Sequence, residues 1–216
     1  MRSNCMRLGH FLPRILRRLR YELLLAPRGY GKSIPPEAWD KMYRDGAWDH
    51  LNAIEEIGHY ALIIGYLRFF FDKPTVLDLG CGHGRLVQLL EPHFLDYVGV
   101  DISAEAIRSA RNLNIPGAHF AVGRFEDYVP KEKLNVIIFN ESLGYTERPA
   151  ELVDKFSHHL LPEGKIVISQ LATGNYRAMW RSIGARLERI SGARICNARR
   201  QTWDVNVFER NDYRYV

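Results

Sequence analysis

The chain has 216 residues, 46% of them hydrophobic and 25% charged, with a formal net charge of +5. That length supports one domain with a real core, and its hydrophobic share is ordinary for a globular protein. Cys5, Cys81 and Cys196 have no C-x-x-C spacing, which argues against a structural metal or a disulfide framework and for a reduced, cytoplasmic setting.

The charge is unevenly spread. Residues 1–34 carry eight Lys/Arg against Glu22 alone, or +7, and residues 177–216 carry nine Arg against four acids, or +5. The stretch between them is acidic. A basic total suggests nucleic acid, but the acidic middle argues against a nucleic-acid substrate.

At the start, Leu12, Ile15, Leu16, Leu19 and Leu23 share one helical face, Arg14, Arg17 and Arg18 the other, and Pro13 suits the first turn. This predicts a basic amphipathic extension over 1–34. It either packs its leucines on the domain or makes a peripheral membrane contact. The Arg-rich, acid-poor composition also suits a mitochondrial transit segment, whereas Arg interrupts every apolar stretch and argues against a secretory signal or a membrane span. Residues 26–33, APRGYGKS, loosely match a phosphate loop. Pro35 and Pro36 then deny the helix the N–H groups that a phosphate needs.

From residue 35 to the end the pattern predicts one domain. Helices are expected over 37–44 and 50–70, the second with Leu51, Ile54, Ile57, Ala61, Ile64 and Arg68 along one stripe. Strands are expected at 75–79, 96–100, 118–122, 134–139 and 165–169, and helices at 84–91, 103–112, 148–160 and 175–190. Arg194-Ile195-Cys196 and Thr202 to Phe208 read as two further strands. The alternation predicts an α/β, doubly wound, mostly parallel sheet with helices on both faces.

The most informative stretch is VLDLGCGHGRL, residues 76–86. It reads as a buried strand, a glycine turn and the opening of a helix, whose N–H groups suit a carboxylate or phosphate. A dinucleotide loop, G-x-G-x-x-G, needs its third glycine at 85, which is Arg85. The third glycine is Gly84, one residue early. Asp78 would repel a pyrophosphate but welcome an ammonium. Asp101, 21 residues after Gly80, ends the next strand and can accept both hydroxyls of a ribose. A ligand with an ammonium, a carboxylate and a ribose satisfies all three features, and S-adenosylmethionine has them.

With YVGVDIS (97–103), GRFEDYVP (123–130), NVIIFNESLGYT (135–146) and LLPEGKIVIS (160–169) in order, the chain resembles the class I S-adenosylmethionine-dependent methyltransferases over roughly residues 48–170. WDKMYRDGAWDHL (39–51) adds a similarity to small bacterial members acting on small molecules or glycans. The resemblance implies a Rossmann-like, seven-stranded sheet closed by a C-terminal antiparallel hairpin. It also implies methyl transfer to an O or N atom of a small molecule or glycan. Asp78, Gly80, Cys81 and Gly82 should surround the methionine part of the cofactor. Asp101 should hold the ribose, Ile102 and Phe125 the adenine, with Glu126 a further partner and Asn140 closing the site. The acid that usually meets the adenine amine is replaced by Arg124.

Glu141, Tyr145 and His59 are the candidate bases for an acceptor proton. For His59 an ordinary helix position is the competing reading, and for Asp101 a helix cap. His83 can fill space against the cofactor, and His158 and His159 read as structural. Trp39, Tyr43 and Trp48 are expected to cover the site or pack the core. Arg177 and Trp180 are expected to face an anionic or sugar acceptor. Asn140-Glu141-Ser142-Leu143 stands where base and glutamine methyltransferases carry Asn/Asp-Pro-Pro-aromatic, which argues against those substrates. The likeness of residues 141–145 to the glutamate loop of protein arginine methyltransferases is faint. A nicotinamide-dependent oxidoreductase or epimerase, and a non-catalytic cofactor-binding subunit, are the rival readings; the first lacks its glycine and a Tyr-x-x-x-Lys pair. Oligomeric state has no sequence signal.

Overall fold

The computed structural model describes residues 23–24, 34–172 and 176–211. The basic extension expected over 1–34 and the phosphate-loop-like run 26–33 lie outside these residues, apart from Leu23, Leu24 and Ile34. Among the described residues no helix is long and apolar enough to cross a membrane, and no cluster of His, Cys, Asp and Glu could hold a metal.

Seven strands form one sheet: β1 (Thr75–Leu79), β2 (Asp96–Asp101), β3 (Ala118–Val122), β4 (Leu134–Asn140), β5 (Leu160–Leu171), β6 (Leu187–Cys196) and β7 (Thr202–Arg210). Their order is β3-β2-β1-β4-β5-β7-β6. The first five pair in parallel, and β7 runs antiparallel to both β5 and β6. The expected sheet and closing hairpin are therefore present.

Alternation of side chains splits each central strand between two cores. Leu77, Leu79, Ile137 and Phe139 pack with α5 (Pro149–Ser157) and α6 (Arg177–Gly184) on one face. Val76, Val136 and Ile138 pack with α2 (Ile57–Phe70) and α3 (Arg85–Leu90) on the other. Burial on both faces is why these strands read as continuous apolar runs. The helix α4 (Ala104–Arg111) buries Ala106, Ile107 and Ala110.

Four boundaries differ from expectation. The helix expected from residue 50 starts at Ile57, and two 3-10 turns, Asp49–Asn52 and Ile54–Glu56, precede it. Extended backbone at Ala53 separates them, so this segment wraps the sheet edge instead of standing as a rod. The buried stripe of α2 is His59, Tyr60, Ile63 and Leu67, not the one through Ala61 and Arg68. The helix is apolar nearly all round, so periodicity did not single out a face. α5 ends at Ser157, and β5 begins at Leu160. Leu134 pairs with Leu160 before a bulge absorbs Pro162 and Gly164. α6 stops at Gly184, because the next stretch is drawn into β6 by pairing along β7. Such long-range pairing overrides local helical preference.

Candidate active site

Between β1 and β4 the strand order reverses, and the carboxyl ends of β1, β2 and β4 diverge. Such a switch point opens a crevice. A cavity of about 330 Å³ lies there. Its floor is the turn after β1. Gly80, Gly82 and Gly84 all have positive φ, at 86°, 55° and 85°. A Cβ on Gly80 would stand 2.5 Å from Ser142 Cβ, and one on Gly82 would stand 2.8 Å from the Tyr43 hydroxyl. The turn is thus a cradle whose backbone is bare by necessity.

Asp78 is 1% exposed. Tyr97 donates its hydroxyl to Oδ2, while Oδ1 has no partner among the described residues. Burial pushes this carboxyl up to about 7, against the pull of the Tyr97 bond and with the push of Asp101. Asp101 ends β2. Its Oδ2 accepts from the Gly82 N–H and its Oδ1 from the Ser103 N–H, both at 2.9 Å. Each oxygen keeps a lone pair for a further donor. Burial raises Asp101, and the two backbone bonds hold it down. Ser103 itself caps α4 by accepting from Ala106 N, so the cap and the carboxylate are different residues.

Cys81 lines the cavity, and its sulfur lies over Gly99, where a Cβ would meet it at 2.7 Å. Burial raises its thiol, so it is a space-filling group. Ile102, Phe125, Glu126 and Asn140 line the cavity, as do Arg124 and His83. Arg124 forms ion pairs with Glu126 at 3.3 Å and Asp127 at 4.0 Å. Lys155 donates to the Glu126 carbonyl at 2.6 Å.

The opposite wall is aromatic. Trp39 and Tyr43 come from α1 (Pro36–Arg44), and Trp48 follows it. Trp39 stacks on Trp48 at 5.6 Å and meets Tyr145 edge-on at 4.8 Å. α1 is held over the site by Asp40. Its Oδ1 accepts from Ser103 Oγ at 2.6 Å and from Glu105 N at 3.1 Å. Those bonds lower the Asp40 carboxyl despite partial desolvation.

Glu141 follows β4 with φ at 56°, a conformation that costs a non-glycine residue on the order of 1–3 kcal/mol. Ser169 Oγ donates to its Oε1 at 3.2 Å and Leu171 N to its Oε2 at 2.9 Å. Burial still pushes it up to about 7. Tyr145 lines the same wall, and burial raises its phenol.

His59 is not brought to the cavity. It is fully buried beneath Trp203, with ring centroids 5.1 Å apart, and burial lowers it to about 4. The imidazole therefore stays neutral and walled off from any acceptor. Arg177 and Trp180 also fall outside the lining. Trp180 packs against Phe208 at 6.3 Å, and Tyr176 takes the place expected for them. His158 and His159 follow α5 in a turn.

Among the lining residues that escaped the sequence reading are Glu56, Tyr60, Gln170, Tyr176, Gln201 and Trp203. Gln170 closes β5, so the rule that ligands meet the carboxyl ends of strands would have found it. Glu56 was read as an ordinary helix position, and nothing local marks it.

A family model described as a methyltransferase domain matches residues 50–215. The chain belongs to the class I S-adenosylmethionine-dependent methyltransferases. It is 31% identical over 128 residues to a trans-aconitate 2-methyltransferase of Azoarcus sp. (strain BH72), covering 57% of this chain and 50% of that protein. It is 29% identical over 101 residues to a dTDP-3-amino-3,4,6-trideoxy-alpha-D-glucopyranose N,N-dimethyltransferase of Streptomyces venezuelae, covering 45% and 42%. This methyltransferase thus spans about half the length of the curated relatives it matches, or less. Its fold is that of the N-methyltransferase NodS from Bradyrhizobium japonicum WM9, solved with S-adenosyl-l-homocysteine. The TM-score is 0.71 at 16% identity, over 82% of this chain and 98% of that one.

The methyltransferase's own residues suit the family's cofactor. The unpartnered Asp78 Oδ1 is an acceptor waiting for a donor, and an ammonium would both bond it and offset its charge. Asp101 offers two carboxylate lone pairs, and the glycine cradle admits close approach. A pH dependence follows. An ammonium prefers ionised Asp78, whose ligand-free pKa is about 7 against 3.8 unperturbed. Affinity for S-adenosylhomocysteine is expected to fall about tenfold between pH 8 and pH 6. In the ligand-free protein the sign is opposite. The folded carboxyl keeps its proton up to about pH 7 and the unfolded one does not, so ionisation costs stability as pH rises from about 4 to 7. Asp78→Asn should flatten the calorimetric affinity profile and raise the ligand-free melting temperature at pH 8. A variant that kept the wild-type pH slope would show that Asp78 is not the titrating group.

Proposed function

We propose that the protein transfers a methyl group from S-adenosylmethionine to an O or N atom of a small molecule or glycan. One observation carries this reading: the glycine cradle with Asp78 and Asp101 shares a single cavity with Trp39, Trp48 and Tyr145. When bound, the cofactor's sulfonium makes its methyl group electrophilic. Asp78 would hold the ammonium, Asp101 the ribose hydroxyls, and Ile102 and Phe125 the adenine. Glu126, tied to Arg124, sits at the adenine edge, and Asn140 borders cofactor and acceptor.

α1 excludes water over the reacting atoms, which sharpens electrostatics and prevents hydrolysis. Alignment of acceptor and methyl supplies much of the rate. Glu141 is the base, because it is anchored on two donors and has a pKa near the operating pH. Tyr145 orients the acceptor from the facing wall. His59, buried and neutral, is assigned no role in proton transfer. We read residues 35–216 as the single methyltransferase domain. A cytoplasmic setting, with peripheral membrane contact through residues 1–34, belongs to the same reading and is supported by the free thiols of Cys81 and Cys196 and the basic N-terminal composition.

Calorimetric titration with S-adenosylmethionine, S-adenosylhomocysteine and NAD tests the reading. Both sulfur compounds should bind and NAD should not, because Arg85 occupies the position of the glycine that a pyrophosphate needs. Folded protein that bound neither sulfur compound would overturn it.

A further inference from the structure

The acceptor end of the cavity is short of positive charge. Glu56 and Glu141 both line it, and burial raises both carboxyls. Glu56 is 7% exposed, and its neighbour His59 is neutral. His59 Nδ1 lies 3.9 Å from the Glu56 carboxylate; His50, which also lines the cavity, and Arg199 work against the upward push on Glu56, and Arg199 is engaged by Glu55 at 2.6 Å. The charge of Glu56 further raises Glu141, and Tyr60 between them is raised by both. The cations on the cavity's remaining lining stand elsewhere. Arg85 opens α3 beside the glycine turn, and Arg124 is paired with Glu126 and Asp127.

A second observation is independent of the acids. Gln170 is 6% exposed and lines the same cavity, yet its Oε1 has no partner among the described residues. A buried amide oxygen is unfavourable without a donor. The shared requirement is a group that donates several hydrogen bonds and carries positive charge. Trp39, Trp48 and Trp203 line the same cavity, and aromatic rings attract a cation through their quadrupole.

Resting on the methyltransferase reading, we infer that the acceptor is an amine, received as its ammonium by Glu56, Glu141 and Gln170 and methylated on nitrogen. An ammonium has three N–H donors for these three acceptors. A hydroxyl has one, and a carboxylate would set oxygen against oxygen in a site of reduced dielectric. In the reaction the ammonium first passes a proton to Glu141. The freed lone pair forms the N–C bond as the S–C bond breaks, and the electrons of that bond remain on sulfur. The product is a methylammonium and a neutral thioether.

The test measures binding to protein saturated with S-adenosylhomocysteine at pH 8. The probes are benzylamine, benzyl alcohol and benzoate, then glucosamine, glucose and glucuronate. In at least one series the amine should bind tenfold or more tightly than the alcohol, and the carboxylate weakest. Glu56→Gln, which removes a buried charge and should fold, is expected to erase most of the amine's advantage. Less than a tenfold preference for the amine in both series, preference for the carboxylate in either, or no binding of either amine by protein that binds S-adenosylhomocysteine would overturn the inference and leave the methyltransferase reading intact. Failure to bind S-adenosylhomocysteine would instead overturn that reading.

Discussion

Gly80→Ala is expected to reduce affinity for S-adenosylhomocysteine at least a hundredfold and to destabilise the fold by about 2–3 kcal/mol. Two costs combine. The residue sits at φ 86°, where a Cβ is strained whatever the space. That Cβ would also lie 2.5 Å from Ser142 Cβ and 3.8 Å from Ser142 Cα. Ser142 cannot rotate a Cβ away, so either the β1 turn or the loop after β4 must move, and both border the cofactor floor. Gly82→Ala provides the comparison. Its Cβ meets only the Tyr43 hydroxyl, the far end of a side chain that can yield, so the loss of stability should be smaller. Calorimetry and thermal melting of both variants check this. Equal, small effects at both positions would mean that the turn is more pliable than its contacts imply.

Asp101→Ala should be nearly as severe, through a different cause. Removing the carboxylate takes away the acceptor proposed for the ribose and leaves the N–H groups of Gly82 and Ser103 without their partner in a buried place. A charge-assisted bond of this kind contributes about 1.5–3 kcal/mol, so a drop in stability of about 3 kcal/mol and a hundredfold loss of cofactor affinity are expected. Asp101→Asn should not rescue both, because its amide N–H₂ would face one of the two backbone donors. Wild-type affinity in the alanine variant would show that the cofactor is held without this residue.

Much of the site was legible because it is local. Asp78, Gly80 and Gly82 lie within five residues, and a strand followed by a turn of glycines has few other uses. Asp101 could be placed because the spacing of one βαβ unit is set by the length of a strand and a helix. The wall opposite was not legible in the same way. Trp39 and Trp48 could be named, but the packing of Trp39 on Tyr145 joins segments about a hundred residues apart. Asp40 lies in the run 39–51, but nothing in that run marks its role, and its part in holding α1 exists only because α4 begins beneath it.

Residues 76–101 by themselves determined the cofactor class and the centre of the sheet, since period, glycine placement and acid spacing are short-range properties that survive without the rest of the fold. Tertiary structure alone decided which groups face the acceptor. His59 and Glu56 are three residues apart near the start of one helix, yet one is sealed under Trp203 and the other opens on the cavity. The helix is apolar on nearly every side, so its rotation is set by what packs against it. β7, arriving last in the chain, supplies Trp203, Val205 and Val207 for that contact.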